Sequence, residues 1–415
     1  MEINILTLKS KKLKYILLMI FFSIFILSTQ IRIYFWGQSL GTINYLAALL
    51  LVLLILKYNK NINHIYLIYF ILISIYVFTI NIYYDGFQNT IYTYISFILP
   101  LILIDINIEE NIFDKIFKNL IVIINIIMFI ITLTGIIDYF TNYELISFLC
   151  QYMSVRIGEL IELQKRSEIY RMYSFMGHPL FNTELYLIFY LFNTLYNKFY
   201  TKKILPNSII IIFSLLGISM TASKTGFFLI IISLFLVNNS RKNNKKKFLT
   251  YLMIVILVII IFKIGIFQNV IDRLQNGSLT TGRSEQWEVI KKFNIYPIKF
   301  WRGYGNGFTF KYNEVIPWAS AAFEYPFRMF SLELGIFTMI NIYFCLLVYP
   351  IIRLISRKSF SLVVPFIILF IDVNTYNGLA LNGDYMFIFC IFIFCILNLS
   401  KKLRKNKFEL YKSDI

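Results

Sequence analysis

Apolar runs of roughly 17 to 23 residues recur along the whole 415-residue chain, and that length matches a hydrocarbon core about 30 Å thick. With 58% hydrophobic and only 15% charged residues, the composition excludes a soluble domain and predicts an all-α integral membrane protein. About twelve spans are expected, at approximately 13–30, 39–57, 64–84, 90–105, 119–138, 181–198, 206–221, 225–238, 248–267, 329–350, 360–376 and 384–399. The eighth is short and the eleventh holds Pro365 and Asp372, so each is a candidate for a broken or tilted helix. The first run, Leu13 to Thr29, follows a Lys-rich start but precedes no small-residue cleavage site, and reads as an uncleaved span. Residues 1–415 therefore read as a single polytopic membrane domain.

The net charge of +18 would suggest nucleic acid in a soluble protein. Here the lysines gather at span ends, where anionic lipid headgroups are the natural partner, and nucleic acid is not expected. Their positions also set orientation. With Lys9, Lys11, Lys12 and Lys14 cytoplasmic, so are Lys57 and Lys60, Lys115 and Lys118, Lys198, Lys202 and Lys203. The run from Arg241 to Lys247, the group Arg353, Arg357 and Lys358, and the tail from Lys401 to Lys412 follow the same side. Both termini are thus expected in the cytoplasm, with an even span count. The cytoplasmic stretch Asn107 to Asn119 alternates acids with Ile and Phe and predicts an interfacial helix. The cysteines, Cys150, Cys345, Cys390 and Cys395, form no disulfide framework and no metal spacing.

Two odd-numbered connections are long, about 139–180 and 268–328. Seven of the twelve arginines fall in them: Arg156, Arg166, Arg171, Arg273, Arg283, Arg302 and Arg328. Guanidinium forks grip phosphate with two prongs, so these external loops are the expected working surface. Glu144 to Leu163 has apolar residues at near-helical spacing and is expected to lie along the membrane. Ser284 to Phe293 reads as a helix, and Gly303 to Gly307 as a tight loop.

Four stretches carry the chemistry. Arg171 to Asn182 (RMYSFMGHPLFN) joins a cation, His178 and a helix starting after Pro179, an anion site in outline. The plain alternative is a helix-capping His178 and an Arg171 that snorkels to lipid phosphate. Thr221 to Gly226 (TASKTG) places Lys224 at the start of the eighth span, where an interfacial turn is the alternative. Thr280 to Gly307 joins Arg283, Trp287 and Arg302 to a glycine-rich segment that lets backbone approach a ligand, or else forms an inert external cap. In Glu324 to Gly335 (EYPFRMFSLELG), Arg328 either pairs with Glu324 four residues earlier or leaves Glu324 for catalysis.

The last three stretches, in order, resemble the core of the O-antigen ligase and Wzy-type polysaccharide polymerase superfamily. The resemblance rests on Ser223-Lys224-Thr225; on Gly282-Arg283 with Trp287; on Pro297, Gly303, Gly305 and Gly307; and on Glu333-Leu334-Gly335. Arg171 and Gly177-His178-Pro179 resemble the family's first external loop. Two positions depart from it: Lys224 stands where the family has Arg, and Glu324 stands where ligases commonly begin His-Asn, nine residues before Glu333. The resemblance therefore implies a polymerase more than a ligase.

It implies glycosyl transfer from an undecaprenyl-diphosphate-linked oligosaccharide to a sugar hydroxyl on a second lipid-linked repeat, without cofactor or metal. The place implied is the outer face of a bacterial cytoplasmic membrane, with a flippase and a chain-length regulator as accessory partners. Arg171, Lys224 and Arg283, helped by Arg302 and Arg328, are expected to clamp the diphosphate. Glu324, or failing that His178, is expected as the base. The rivals are a flippase for the same lipid-linked oligosaccharide, which would carry more charge at mid-span, a ligase for finished polymer, and a structural membrane scaffold.

Overall fold

The computed structural model describes residues 2–413 except 59–60, 154, 167–169, 238–258, 260–262, 264–270, 273–281 and 317–320. The ninth expected span apart from two isolated residues, the run from Arg241 to Lys247, Arg273 and the Arg156 side chain lie outside the described residues. The described residues are helical throughout, with only two isolated bridges, Ile62 to Ile106 and Ser174 to Gly177. Four helical segments are long and apolar enough to cross a membrane: His64–Asp105, Glu110–Thr141, Ile336–Ser356 and Tyr385–Arg404. Lys12–Phe25 and Thr29–Gly41, bent by 77°, make a fifth, and Tyr45–Tyr58, Asn207–Thr221, Lys224–Leu236 and Phe360–Val373 are shorter and apolar. This is the architecture of a membrane-embedded all-α protein, and the apolar runs anticipated most helix starts to within a few residues.

The His64–Asp105 segment is 42 residues long, which as a straight rod would measure roughly 63 Å. Its ends instead meet: Ile62 bridges Ile106, and the Tyr66 hydroxyl donates to the Leu101 carbonyl at 2.8 Å. The segment is two antiparallel legs turned at Gly86, whose φ of 77° lies where only glycine turns without strain. The two runs expected as separate helices there are therefore the two legs of one turned segment.

The Thr29–Gly41 element turns back against its own start and is pinned by a buried polar knot. Arg32 Nη1 lies 2.8 Å from Asp384 Oδ2 and also donates to the Leu27 carbonyl at 2.6 Å, while its Nε donates to the Gly41 carbonyl at 3.1 Å. Asn44 Nδ2 donates to the other Asp384 oxygen at 2.7 Å. A buried charge pair holds only when its remaining donors and acceptors are bonded, and here they are. Asp384 opens the Tyr385–Arg404 stretch, 83% of whose apolar window is buried against 33–44% for the other three long segments. That helix is the centre of the bundle, and the knot moors the first connection to its head.

Several helices carry polar clusters at both ends. His178 precedes the Pro179–Phe199 helix and Tyr200 follows it, about 31 Å away by helical rise. At the far end the Tyr200 hydroxyl donates to Asp114 at 2.6 Å, and Lys402 Nζ meets both Asp114 oxygens at 2.8 Å. Arg357 Nη1 donates to Ser400 Oγ at 2.9 Å in the same quarter. Among the described residues, the connections read as the fourth, sixth and tenth thus gather with the C-terminal stretch at one end of these helices.

Three local expectations change. Residues 110–119 are not a separate interfacial helix: Phe113, Ile116 and Phe117 are buried, and the helix runs unbroken over Glu110–Thr141. The tenth span breaks at Gly335, giving Pro326–Glu333 and Ile336–Tyr343. The stretch 144–163 forms two helices, Glu144–Leu149 and Val155–Lys165. Replacing Arg32 by Leu should strand the buried Asp384 charge at a cost of about 3–5 kcal/mol, seen as earlier thermal unfolding in detergent. Arg32→Leu combined with Asp384→Leu should recover part of that loss, because a double apolar replacement leaves no orphan charge.

Candidate functional site

At the end of the bundle opposite Asp114, three helices begin around one cavity of about 390 Å³. Pro179–Phe199 starts after His178, Lys224–Leu236 after Ser223, and Arg283–Phe293 after Gly282. Each start has a local cause. Pro179 at the first helical position needs no amide partner, and His178 Nδ1 accepts from the Leu180 amide at 3.2 Å. Ser223 Oγ accepts from the Gly226 amide at 3.1 Å, a standard N-cap bond. Converging helix N-termini direct partial positive charge and backbone amides at the same space, which favours an anion.

Five of the seven residues read as candidates line this cavity: Arg171, His178, Lys224, Arg283 and Glu324. They come from three separate connections, and Gln30 and Thr375 to Asn377 add two more. Arg171 is held by its backbone, whose amide donates to the Tyr143 hydroxyl at 2.7 Å. Its guanidinium Nε and Nη2 are buried without a hydrogen-bond partner. Burial pulls that guanidinium below its ordinary pKa, Tyr173 and Glu324 act to raise it, and neighbouring Arg283 lowers it further. Arg283 Nε donates to Glu324 Oε2 at 2.6 Å, its Nη2 pairs with the same oxygen, and its Nη1 donates to the Thr375 carbonyl at 2.9 Å. Three cations and one carboxylate therefore share the cavity.

Of the readings left open, the Arg328–Glu324 pair is not formed, and Glu324 pairs with Arg283 instead. His178 caps its helix, as the plainer reading had it, and a neutral imidazole that accepts at Nδ1 carries its proton on Nε2.

Arg302 and Arg328 do not line the cavity. Arg328 is buried, and its Nη1 donates to the Arg283 carbonyl at 2.9 Å and to the Ala322 carbonyl at 3.0 Å. Its guanidinium lies over the Trp287 and Tyr325 rings at 4.9 and 4.6 Å, so it braces the backbone that presents Arg283 and Glu324. Arg302 stacks over Tyr84 at 3.7 Å. The glycine-rich loop approaches protein, not ligand: a Cβ on Gly303 would lie 2.1 Å from the Glu333 carbonyl. Glu333 in turn accepts from the Thr309 amide at 3.1 Å and fastens the Phe308–Val315 helix.

Sequence reading missed Tyr376, which lines the cavity and donates its hydroxyl to the buried Glu184. A lone Tyr after a span and a lone Glu within one carry no spacing signal. Among the described residues, no group of three or more His, Cys, Asp or Glu is placed to hold a metal ion. Comparison with protein-family models, with curated proteins and with solved structures gives no match for this chain.

What the arrangement can do is bind an oxyanion between two guanidinium groups, an ammonium and three helix starts. Inorganic diphosphate should raise the thermal unfolding temperature of the purified protein, since saturation at about 100 times Kd adds about 2.7 kcal/mol. Arg171→Ala should abolish the rise. An equal rise in that variant would show that the anion binds elsewhere.

Proposed function

We propose that this protein joins lipid-diphosphate-linked oligosaccharide repeats into a surface polysaccharide. The observation that carries the proposal is the Arg171 guanidinium, with two buried, unpartnered nitrogens beside Arg283 and Lys224. A buried donor without an acceptor costs about 1–3 kcal/mol, more when charged, and an oxyanion in the cavity would remove that cost. Diphosphate suits it, because the departing lipid diphosphate collects negative charge in the transition state, where fixed donors act without reorganising.

Position supports the same reading. The cavity draws on connections counted from the sequence as odd-numbered, the first, fifth, seventh, ninth and eleventh, while the fourth, sixth and tenth gather with the C-terminal stretch about one bilayer thickness away. With the basic end in the cytoplasm of a bacterial cell, the cavity opens at the outer face of the cytoplasmic membrane. There a lipid-linked donor and acceptor present their headgroups, and a flippase and chain-length regulator would act beside this chain.

In this reading Arg171, Lys224, Arg283 and the His178 Nε2–H hold the diphosphate. Glu324 keeps the Arg283 fork aimed, and Arg328 and Arg302 brace the loop from outside. Arg171→Ala and Arg283→Ala should abolish long glycan and leave single lipid-linked repeats outside the membrane in a complemented deletion strain. Repeats trapped inside would instead mark a flippase, and long unattached chains a ligase. Glu324→Gln, which weakens the grip on Arg283, should raise KM for the lipid-linked donor more than it lowers kcat.

A further inference from the structure

Beneath the cavity lies an acid that the clamp does not use. Glu184 sits in the Pro179–Phe199 helix, 1% exposed, and its Oε2 accepts from the Tyr376 hydroxyl. Its other oxygen, Oε1, is buried with no partner. Tyr376 itself lines the cavity and stands edge-on to Tyr385, another lining residue, with ring centres 6.5 Å apart. Asp372, at the end of the Phe360–Val373 helix, is the other acid near this pair. A carboxylate kept from water and bonded to the hydroxyl of a cavity-lining tyrosine is an unusual expense for a fold that needs only packing there.

The reaction also lacks a proton acceptor among the clamp residues. His178 already accepts the Leu180 amide at Nδ1, so a neutral imidazole there carries its proton on Nε2, and Glu324 is committed to Arg283. The geometry points to Tyr376 and Glu184 as a relay that takes the proton from the attacking sugar hydroxyl. This rests on the proposed function and extends it to the base. The acceptor oxygen forms its bond to the anomeric carbon as the bond from that carbon to phosphate oxygen breaks, and the electron pair leaves on the diphosphate. In the form of the enzyme in which Glu184 is ionised, the hydroxyl proton passes to Tyr376 Oη while the phenolic proton passes to Glu184 Oε2. The tyrosine stays neutral, and the proton returns by the same route to the departing diphosphate. Tyr376 touches the substrate and is the catalytic residue, whereas Glu184 acts through it as a positioning and proton-holding residue.

Gln at position 184 separates this role from a structural one, because its carbonyl still accepts the Tyr376 bond but takes no proton. Purified wild type, Glu184→Gln, Tyr376→Phe and Arg171→Ala would be compared for thermal stabilisation by farnesyl diphosphate. They would also be compared for polymer formation from lipid-linked repeats extracted from the deletion strain. Glu184→Gln and Tyr376→Phe should keep the wild-type stabilisation and the wild-type KM, yet lose at least tenfold in kcat. Glu184→Asp, which can still hold the proton, should restore more of the rate than Gln. A Glu184→Gln enzyme with wild-type kcat, while Arg171→Ala is inactive, overturns the relay and leaves the function standing. Normal polymer from Arg171→Ala overturns the function itself. Loss of farnesyl diphosphate stabilisation in Glu184→Gln assigns the pair to holding the cavity together and also overturns the relay.

Discussion

Like charges repel, and the His178 end of this bundle places Arg171, Lys224 and Arg283 around one cavity with a single carboxylate among them. The effect is strengthened because three helices start at the same place, adding partial positive charge, with Glu285 as the acid in the first turn of one of them. A protein keeps such an arrangement only if surrounding structure forces it or a ligand relieves it. The forcing is visible. Arg171 is fixed through its backbone to Tyr143, and Arg283 is fixed through Glu324 and the Thr375 carbonyl. Arg328 ties down the carbonyls of Arg283 and Ala322 from behind.

That bracing depends in turn on polar contacts within the apolar bundle. The Arg32–Asp384 knot binds the first connection to the head of the central helix, one residue before Tyr385 reaches the cavity. Gly303 and Glu333 bind the loop from Gly303 to the Phe308–Val315 helix onto the Pro326–Glu333 helix, which carries Arg328. Each contact joins residues far apart in the chain, and each removes a freedom that the cavity wall would otherwise have. Stiffness matters here because a site that stabilises developing charge works only if its donors are already in place.

Much of this was legible in the sequence, for physical reasons. Helix periodicity in lipid needs long apolar runs, so helix starts followed from composition along the chain. His178-Pro179, Ser223-Lys224 and Gly282-Arg283 announced helix N-termini, because capping and fixed φ demand those residue types. The partner of Glu324 could not be settled from spacing, because four-residue separation favours Arg328 only if both lie on one helix. The Pro326–Glu333 helix begins two residues after Glu324, which frees Glu324 to meet Arg283 from forty-one positions away. Arg32, Glu184 and Tyr376 were silent, since a single polar residue gives no period and its worth lies wholly in a distant partner. The glycine-rich loop was legible as a close approach but not in what it approaches.

The two kinds of charge in the molecule are therefore separated by purpose as well as by place. At the lysine end, Lys402 meets Asp114 and the charges are locally balanced and partly wet, as suits groups that face headgroups and water. At the arginine end, cations outnumber acids around the cavity, and the buried Glu184 is bonded through one oxygen to the hydroxyl of the lining Tyr376. An anion bound there would meet fixed positive charge at the cavity wall. On the proposed relay it would reach the acid through the tyrosine hydroxyl. A direct Glu184–Arg171 pair would satisfy both groups and leave neither available, and with Glu184 Oε1 and two Arg171 nitrogens unpartnered no such pair is formed.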